Sequence, residues 1–326
     1  MYLYLDNVGW SLIDTGFGNR MQFWEYAYEL NRRNGFNFKM AVEERMWAET
    51  KYLNFPYTET IDEYFLEYLP PQNLPSIDSR LPFKTLDVNK SYNILKEWPP
   101  YFGEGDKSCY GKWVHLITLK DKIIENKIKN LVKDRIGIHV RHWPVCGPTD
   151  ETVDERESKV ERFDYKGKME LLRKTMDKYP NSKFYMSTDC TYDKPGQTPP
   201  LPDFRKESHW ISEIYKDYDV VDYRDILDVS KVVSNTFPDI DNNGWKMVLD
   251  DEGKPVKEIR IFFQGGPKGG FFDKYSPSTE DVKIYRDCVD LFGLIYSKKF
   301  IRSEETGPGS SWSDFVSFYR QTIWQE

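Results

Sequence analysis

The chain has 326 residues, enough for about two domains at 100–200 residues each. Its 46 basic and 53 acidic side chains leave a net charge of −7 spread along the sequence, which excludes the basic stripe that phosphate-tracking nucleic-acid binders need. Apolar residues at 39% and aromatic residues at 16% supply a sizeable core, which excludes a disordered chain. The surplus of amphipathic rings suits a core, and equally a surface that grips a flat ligand such as a sugar or a base. No stretch approaches the roughly 18–20 apolar residues of a membrane span, and Met1–Asp6 lacks the basic and continuous apolar regions of a signal peptide. A cytoplasmic protein with no membrane span is therefore expected. Cys109, Cys146, Cys190 and Cys288 lie far apart without a Cys-x-x-Cys pair, so reduced thiols are expected rather than a zinc cluster or a disulfide framework.

In chain order, Tyr2–Val8 alternates as a first strand and runs into a loop with Gly16 and Gly18. Met21, Trp24, Ala27, Tyr28 and Asn31 then recur at helical spacing between Asn19 and about Arg33, with Gly35 as a C-cap. Phe36–Val42 reads as a second strand. From Tyr52 to Gly111 Pro and Tyr are frequent and periodicity lapses, which predicts irregular chain with short helices and no chemistry. Leu119, Ile123, Ile124, Ile128, Leu131 and Val132 form a helical stripe, with Thr118 and Asp121 as its N-terminal cap. Arg135–Arg141 has a buried-strand pattern. A helix over about Lys166–Lys178, a strand Lys183–Ser187 ending in Thr188-Asp189, a Pro-rich loop, a helix Glu207–Asp217 and a strand Asp219–Asp222 follow. Asp239–Phe263 reads as a hairpin with Asp251-Glu-Gly253 at its turn. A helix from Ser278 to about Tyr296, capped by Ser278 with Asp281, leads to the strand Lys299–Ser303, a glycine-rich loop and a last helix from Ser313.

This order predicts an α/β protein of two Rossmann-like halves, residues 1–117 and 118–326, facing across a cleft. The hairpin at about 239–263 is an insertion in the second half. Ligands in such sheets lie beyond the carboxyl ends of the strands, and four segments place polar residues there. In Gly137-Ile-His-Val-Arg141, alternation puts Gly137, His139 and Arg141 on one face, with Arg141 at the strand's carboxyl end. There its guanidinium forks onto a diphosphate, or pairs with a carboxylate in a purely structural role. Thr188-Asp189 ends another strand and reads as a ligand contact or as a turn. Gly307-Pro-Gly-Ser-Ser-Trp-Ser313 runs into a helix and suits phosphate oxygens or a plain helix start. Gly16-Phe-Gly-Asn-Arg20 is a short glycine pair before a helix.

In order and wording these four segments resemble the fucosyltransferase superfamily. Gly16-Phe-Gly-Asn-Arg20 resembles its Gly-x-Gly-Asn-Arg/Gln start, and Ile136-Gly-Ile-His-Val-Arg-His142 its His-x-Arg motif, most like the rhizobial nodulation form. Phe184–Asp189 is similar to its strand ending in Thr/Ser-Asp. Asp290-Leu-Phe-Gly-Leu-Ile-Tyr-Ser-Lys-Lys-Phe-Ile301 with Ser310-Ser-Trp-Ser313 is similar to the closing block of protein O-fucosyltransferases. The resemblance implies a GT-B glycosyltransferase that moves L-fucose from GDP-fucose to a glycan or other hydroxyl acceptor, with inversion and with neither metal nor cofactor. Arg141 would hold the β-phosphate, with His139 against the nucleotide and Asp290 accepting hydrogen bonds from guanine. Ser310, Ser311 and Trp312 would line the diphosphate and base. Gly18 and Asn19 would approach the donor from the first half, and Thr188 with Asp189 would belong to the donor site. His142-Trp143-Pro144 departs from the second arginine of many relatives.

Inverting transfer needs a base for the acceptor hydroxyl. Asp150 and Glu151 in Gly147-Pro-Thr-Asp-Glu151 are the nearest carboxylates to the place a base occupies in relatives, and Asp14 is their rival. The acidic run Asp150–Glu157 reads equally as a solvated loop. Asp239-Ile-Asp-Asn-Asn-Gly244 with Asp250 fits a calcium-loop spacing, yet a strand follows where a helix would be needed, so a turn opening the hairpin is the better reading. Two alternatives stand beside the main one. They are transfer of a different nucleotide-activated sugar on the same scaffold, and carbohydrate binding without turnover.

Overall fold

The structure is a computed structural model and describes residues 1–5, 17–43, 47–61, 73–95, 100–101, 113–141, 165–188, 203–206, 211–228, 245–249, 255–260, 277–306 and 310–324. At 19, 43, 48, 165, 245–249, 255–260 and 277–283 it describes the backbone alone. Contacts divide the chain into two units, Met1–Lys120 with Ser311–Glu326, and Asp121–Ser310.

In the first unit β1 (Tyr2–Leu5), α1 (Phe17–Arg33) and β2 (Lys39–Glu43) form the expected opening. They are followed by β3 (Leu53–Asn54), β4 (Thr58–Ile61), β5 (Ser76–Asp78), β6 (Tyr92–Leu95) and β7 (Thr118–Leu119). Five strands in the order β4-β2-β1-β6-β5 make one wholly parallel sheet, while β3 and β7 pair antiparallel. The stretch Tyr52–Gly111, expected to be irregular with short helices, thus carries four strands among its described residues. Each spans two to four residues and mixes polar with apolar side chains, so no period develops.

Met21, Trp24, Ala27 and Leu30 of α1 are inaccessible to solvent. Asn31, expected in the same stripe, is buried for a different reason. Its Nδ2 donates to the Phe38 carbonyl at 2.7 Å and its Oδ1 accepts the Phe38 N–H at 3.1 Å, tying the end of α1 to the entry of β2. Gly35 sits at φ 70°, its N–H bonded to the Arg32 carbonyl at 3.1 Å, and the Phe36 N–H reaches the Asn31 carbonyl at 2.9 Å. These two bonds close the helix as a glycine C-cap does. Trp24 stacks on Tyr28 at 5.0 Å and Phe36 on Tyr57 at 4.2 Å, so these rings of the aromatic surplus serve packing within this unit.

The second unit opens with α2 (Lys122–Val132) and β8 (Arg135–Val140). The cap expected of Thr118 is supplied by Asp121, whose Oδ1 accepts the N–H groups of Ile123 and Ile124 at 2.9 and 3.0 Å. Thr118 itself is a strand residue. Next come α3 (Tyr165–Met176), β9 (Lys183–Thr188), α4 (Ser212–Asp217), β10 (Val220–Val221), the antiparallel hairpin β11 (Trp245–Leu249) and β12 (Pro255–Arg260), α5 (Pro277–Tyr296) and β13 (Lys299–Ile301). The helix α5 begins at Pro277, one residue ahead of its expected cap. The fixed φ of proline and its missing N–H fit that first turn. Four parallel strands lie in the order β10-β9-β8-β13, that is third, second, first and fourth along the chain. That order is compatible with a Rossmann-like sheet.

Two glycines let α5 lie close to this sheet. A Cβ on Gly293 would stand 2.2 Å from the Tyr185 ring, and one on Gly137 would stand 2.4 Å from the Ser297 hydroxyl. Helix α3 meets α4 through Arg173 with Glu213 and Asp217, exposed pairs that contribute about 0–1 kcal/mol. Buried Leu172 and Met176 contribute more, about 1.5–3 kcal/mol each, so apolar burial sets the position of α3. The closing helix α6 (Ser311–Trp324) groups with the first unit, where the Tyr319 hydroxyl donates to the Ile117 carbonyl at 2.7 Å. Sequence order alone places it with the second half, residues 118–326. No helix among the described residues is long and apolar enough to cross a membrane.

Candidate functional site

Because the four strands of the second unit's parallel sheet all run one way, their carboxyl ends form a single edge. β13 lies beside β8 although two other strands of this sheet, β9 and β10, come between them in sequence, so the chain changes direction across the sheet at this pair. Open α/β sheets bind ligands at such a reversal. His139 is buried, and its carbonyl accepts the Thr306 hydroxyl at 2.8 Å. Thr306 ends the turn that follows β13, and the Thr175 hydroxyl of α3 holds the Glu305 carbonyl of that turn at 3.0 Å. The loop after β13 is thereby stitched to β8 and α3.

Arg141 follows β8 and is half-buried. Lys168, in the first turn of α3, donates its Nζ to the Arg141 carbonyl at 2.6 Å, which sets a second cationic side chain beside Arg141. Register pairs His139 with Ser187 and Val140 with Thr188, and both Ser187 and Thr188 are buried. His139, Arg141 and Thr188 therefore share this edge.

Asp290 belongs to a different part of the same unit. Helix α5 crosses the sheet from β8, where Ser297 faces Gly137, to β9, where Gly293 faces Tyr185. The buried Tyr185 hydroxyl donates to Asp290 Oδ1 at 2.8 Å. Burial pushes the Asp290 carboxyl up to about 8, against the lowering effect of Arg286 and of the Tyr185 hydrogen bond. One turn earlier, Arg286 is 2% exposed. It pairs with Asp287 at 2.8 Å and lies with its guanidinium carbon 5.8 Å from the Tyr223 ring centre, just past β10. Beside Tyr223, the wholly buried Asp222 accepts the Tyr215 hydroxyl at 2.8 Å and the Arg224 N–H at 2.8 Å. Asp290 thus sits in a polar network beside Tyr185 in the middle of β9 and the residues just past β10.

In the first unit the starts of α1 and α6 meet. The Phe17 ring is 5.1 Å from Trp312 and 5.4 Å from Phe315. A Cβ on Gly18 would stand 2.6 Å from the Ser311 backbone, so only glycine permits this approach. Gly18, Ser311 and Trp312 are brought together in this unit, while Ser310, buried, ends the second. Asn19 lies in the first turn of α1. Asp150, Glu151, Asp189, the rival base Asp14, and Asp239–Gly244 with Asp250 lie outside the described residues. Sequence reasoning did not single out Lys168, Tyr185, Arg286 or Thr306. A lysine in a helix's first turn after a strand ending in arginine was the one available signal, for Lys168. Searches against protein-family models, curated proteins and solved structures return no match to this chain.

Proposed function

We propose that the protein is an inverting, metal-independent glycosyltransferase of GT-B architecture that moves L-fucose from GDP-fucose to a hydroxyl of a glycan acceptor. The observation that supports it most is the shared edge of His139, Arg141 and Thr188 beside the β8–β13 reversal, with Lys168 adjoining Arg141. As the C1–O bond to the diphosphate breaks, negative charge grows on the β-phosphate. Arg141 takes that charge through a bidentate contact and Lys168 adds a point charge, the work a divalent ion does in other enzymes. The acceptor oxygen attacks C1 from the opposite face and gives its proton to a carboxylate. Asp150 or Glu151 is the proposed base, with Asp14 as the alternative. Asp290 accepts N–H donors of guanine, and Ser310 completes the donor contacts supplied by this unit.

A thermal-shift screen with GDP, UDP and dTDP tests this reading. GDP should raise the melting temperature most, because a buried acceptor rejects a base that lacks matching donors. A larger rise with UDP would point to a different donor sugar. No rise with any of the three would point to carbohydrate binding without turnover.

A further inference from the structure

Arg286 is buried, yet among the described residues its Nη1 meets no acceptor. Its Nε and Nη2 are both directed to Asp287 Oδ1, at 3.2 and 2.8 Å. A buried guanidinium N–H without an acceptor is disfavoured unless something outside the chain supplies one. Four residues on, and so on the same side of α5, Asp290 accepts the Tyr185 hydroxyl, and its charge is felt by Arg286. One helix face thus presents a donor and an acceptor one turn apart, beside Tyr185 of β9 and Tyr223 just past β10.

We propose that Arg286 and Asp290 together read the hydrogen-bonding edge of a 6-oxopurine, with Arg286 donating to the C6 carbonyl oxygen and Asp290 accepting the adjacent N1–H and 2-amino group. This rests on the proposed GDP-sugar donor and adds the residue that distinguishes guanine from bases without a C6 carbonyl. Adenine offers a donor at C6, where Arg286 needs an acceptor. Uracil matches at O4 and N3–H but sets a second carbonyl oxygen against Asp290 where guanine has its 2-amino donor.

Calorimetric binding of GDP, of inosine diphosphate (no 2-amino group) and of 2-aminopurine riboside diphosphate (no C6 oxygen, and N1 an acceptor in place of N1–H) tests the assignment on the full chain. The unmodified protein should bind both analogues about 10–100-fold more weakly than GDP. In Arg286→Lys and Arg286→Gln, the penalty of the 2-aminopurine analogue should shrink several-fold, to the part that the lost N1–H costs at Asp290, while the penalty for losing the 2-amino group persists. A merely structural Arg286 would lower the melting temperature and leave both ratios unchanged, which would overturn the proposal. Equal binding of GDP and the 2-aminopurine diphosphate by the unmodified protein would overturn it even if no Arg286 variant folds. Equal binding of GDP and UDP would instead remove the donor reading on which it rests, and so separates that failure from the first.

Discussion

Arg141→Ala should lower turnover by about 100–1000-fold, the scale of losing one preorganised donor to developing charge. Donor affinity should fall less than turnover, because the charge Arg141 meets appears only as the sugar–phosphate bond breaks. Arg141→Lys should recover little, since an ammonium cannot reproduce a two-pronged contact. The melting temperature should move only a few degrees: the residue lies past the end of β8, and the Lys168 bond at this position goes to its backbone carbonyl, which alanine keeps. If Arg141 were instead a structural ion-pair partner, the alanine protein would melt early and turn over normally. Melting and turnover measured on one preparation distinguish the two.

Asp290→Asn should weaken GDP binding by about 10–100-fold and leave the fold intact. Asparagine keeps an oxygen for the Tyr185 hydroxyl, but it cannot accept two N–H donors with the strength of a carboxylate. The pH dependence gives a second readout. With its carboxyl at about 8, Asp290 is mostly protonated at neutral pH, and guanine donors favour the ionised form. GDP binding should therefore tighten from pH 6 to pH 8.5 in the unmodified protein and stay flat in the variant. Stability runs the other way. A carboxyl raised from its ordinary 3.8 to about 8 keeps a proton in the folded chain that the unfolded chain releases. Its contribution is complete below about pH 4 and is lost as pH rises through 8. Glu25, pushed up to about 8 by burial, acts in the same direction, so the difference between Asp290→Asn and the unmodified protein isolates Asp290. A GDP affinity that ignores both the substitution and pH would remove Asp290 from the base site.

What the sequence discloses follows from how far apart the interacting residues lie. Arg135–Val140 and Lys183–Thr188 are legible because a strand buried on both faces of a parallel sheet must be nearly continuous in apolar residues. The end of α1 is legible because glycine is the residue that tolerates φ near 70° at a helix terminus. By contrast Thr58–Ile61, Ser76–Asp78 and Tyr92–Leu95 are too short and too mixed to show a period, and only pairing within the sheet makes them strands. Thr118 and Asp121 both carry a capping oxygen, and the pairing of Thr118-Leu119 with Leu53-Asn54 decides between them. Of the site, His139 and Arg141 can be placed by counting along one strand. The Tyr185–Asp290 and Thr306–His139 bonds join residues more than a hundred positions apart, and nothing local announces them. Arg286 looks in sequence like an ordinary charge on a helix surface. Only its burial against Tyr223 marks it as unusual.

In the proposed reaction, fixed cations at the carboxyl end of β8, rather than a bound metal, carry the leaving diphosphate of a GDP-sugar. Release of GDP from GDP-fucose, followed with a mixture of glycan acceptors in excess chelator, tests this most directly. Release should continue at the rate seen without chelator and should fall about 100–1000-fold in Arg141→Ala. Release that stops in chelator and returns with manganese or magnesium, or that is the same in Arg141→Ala, would contradict it.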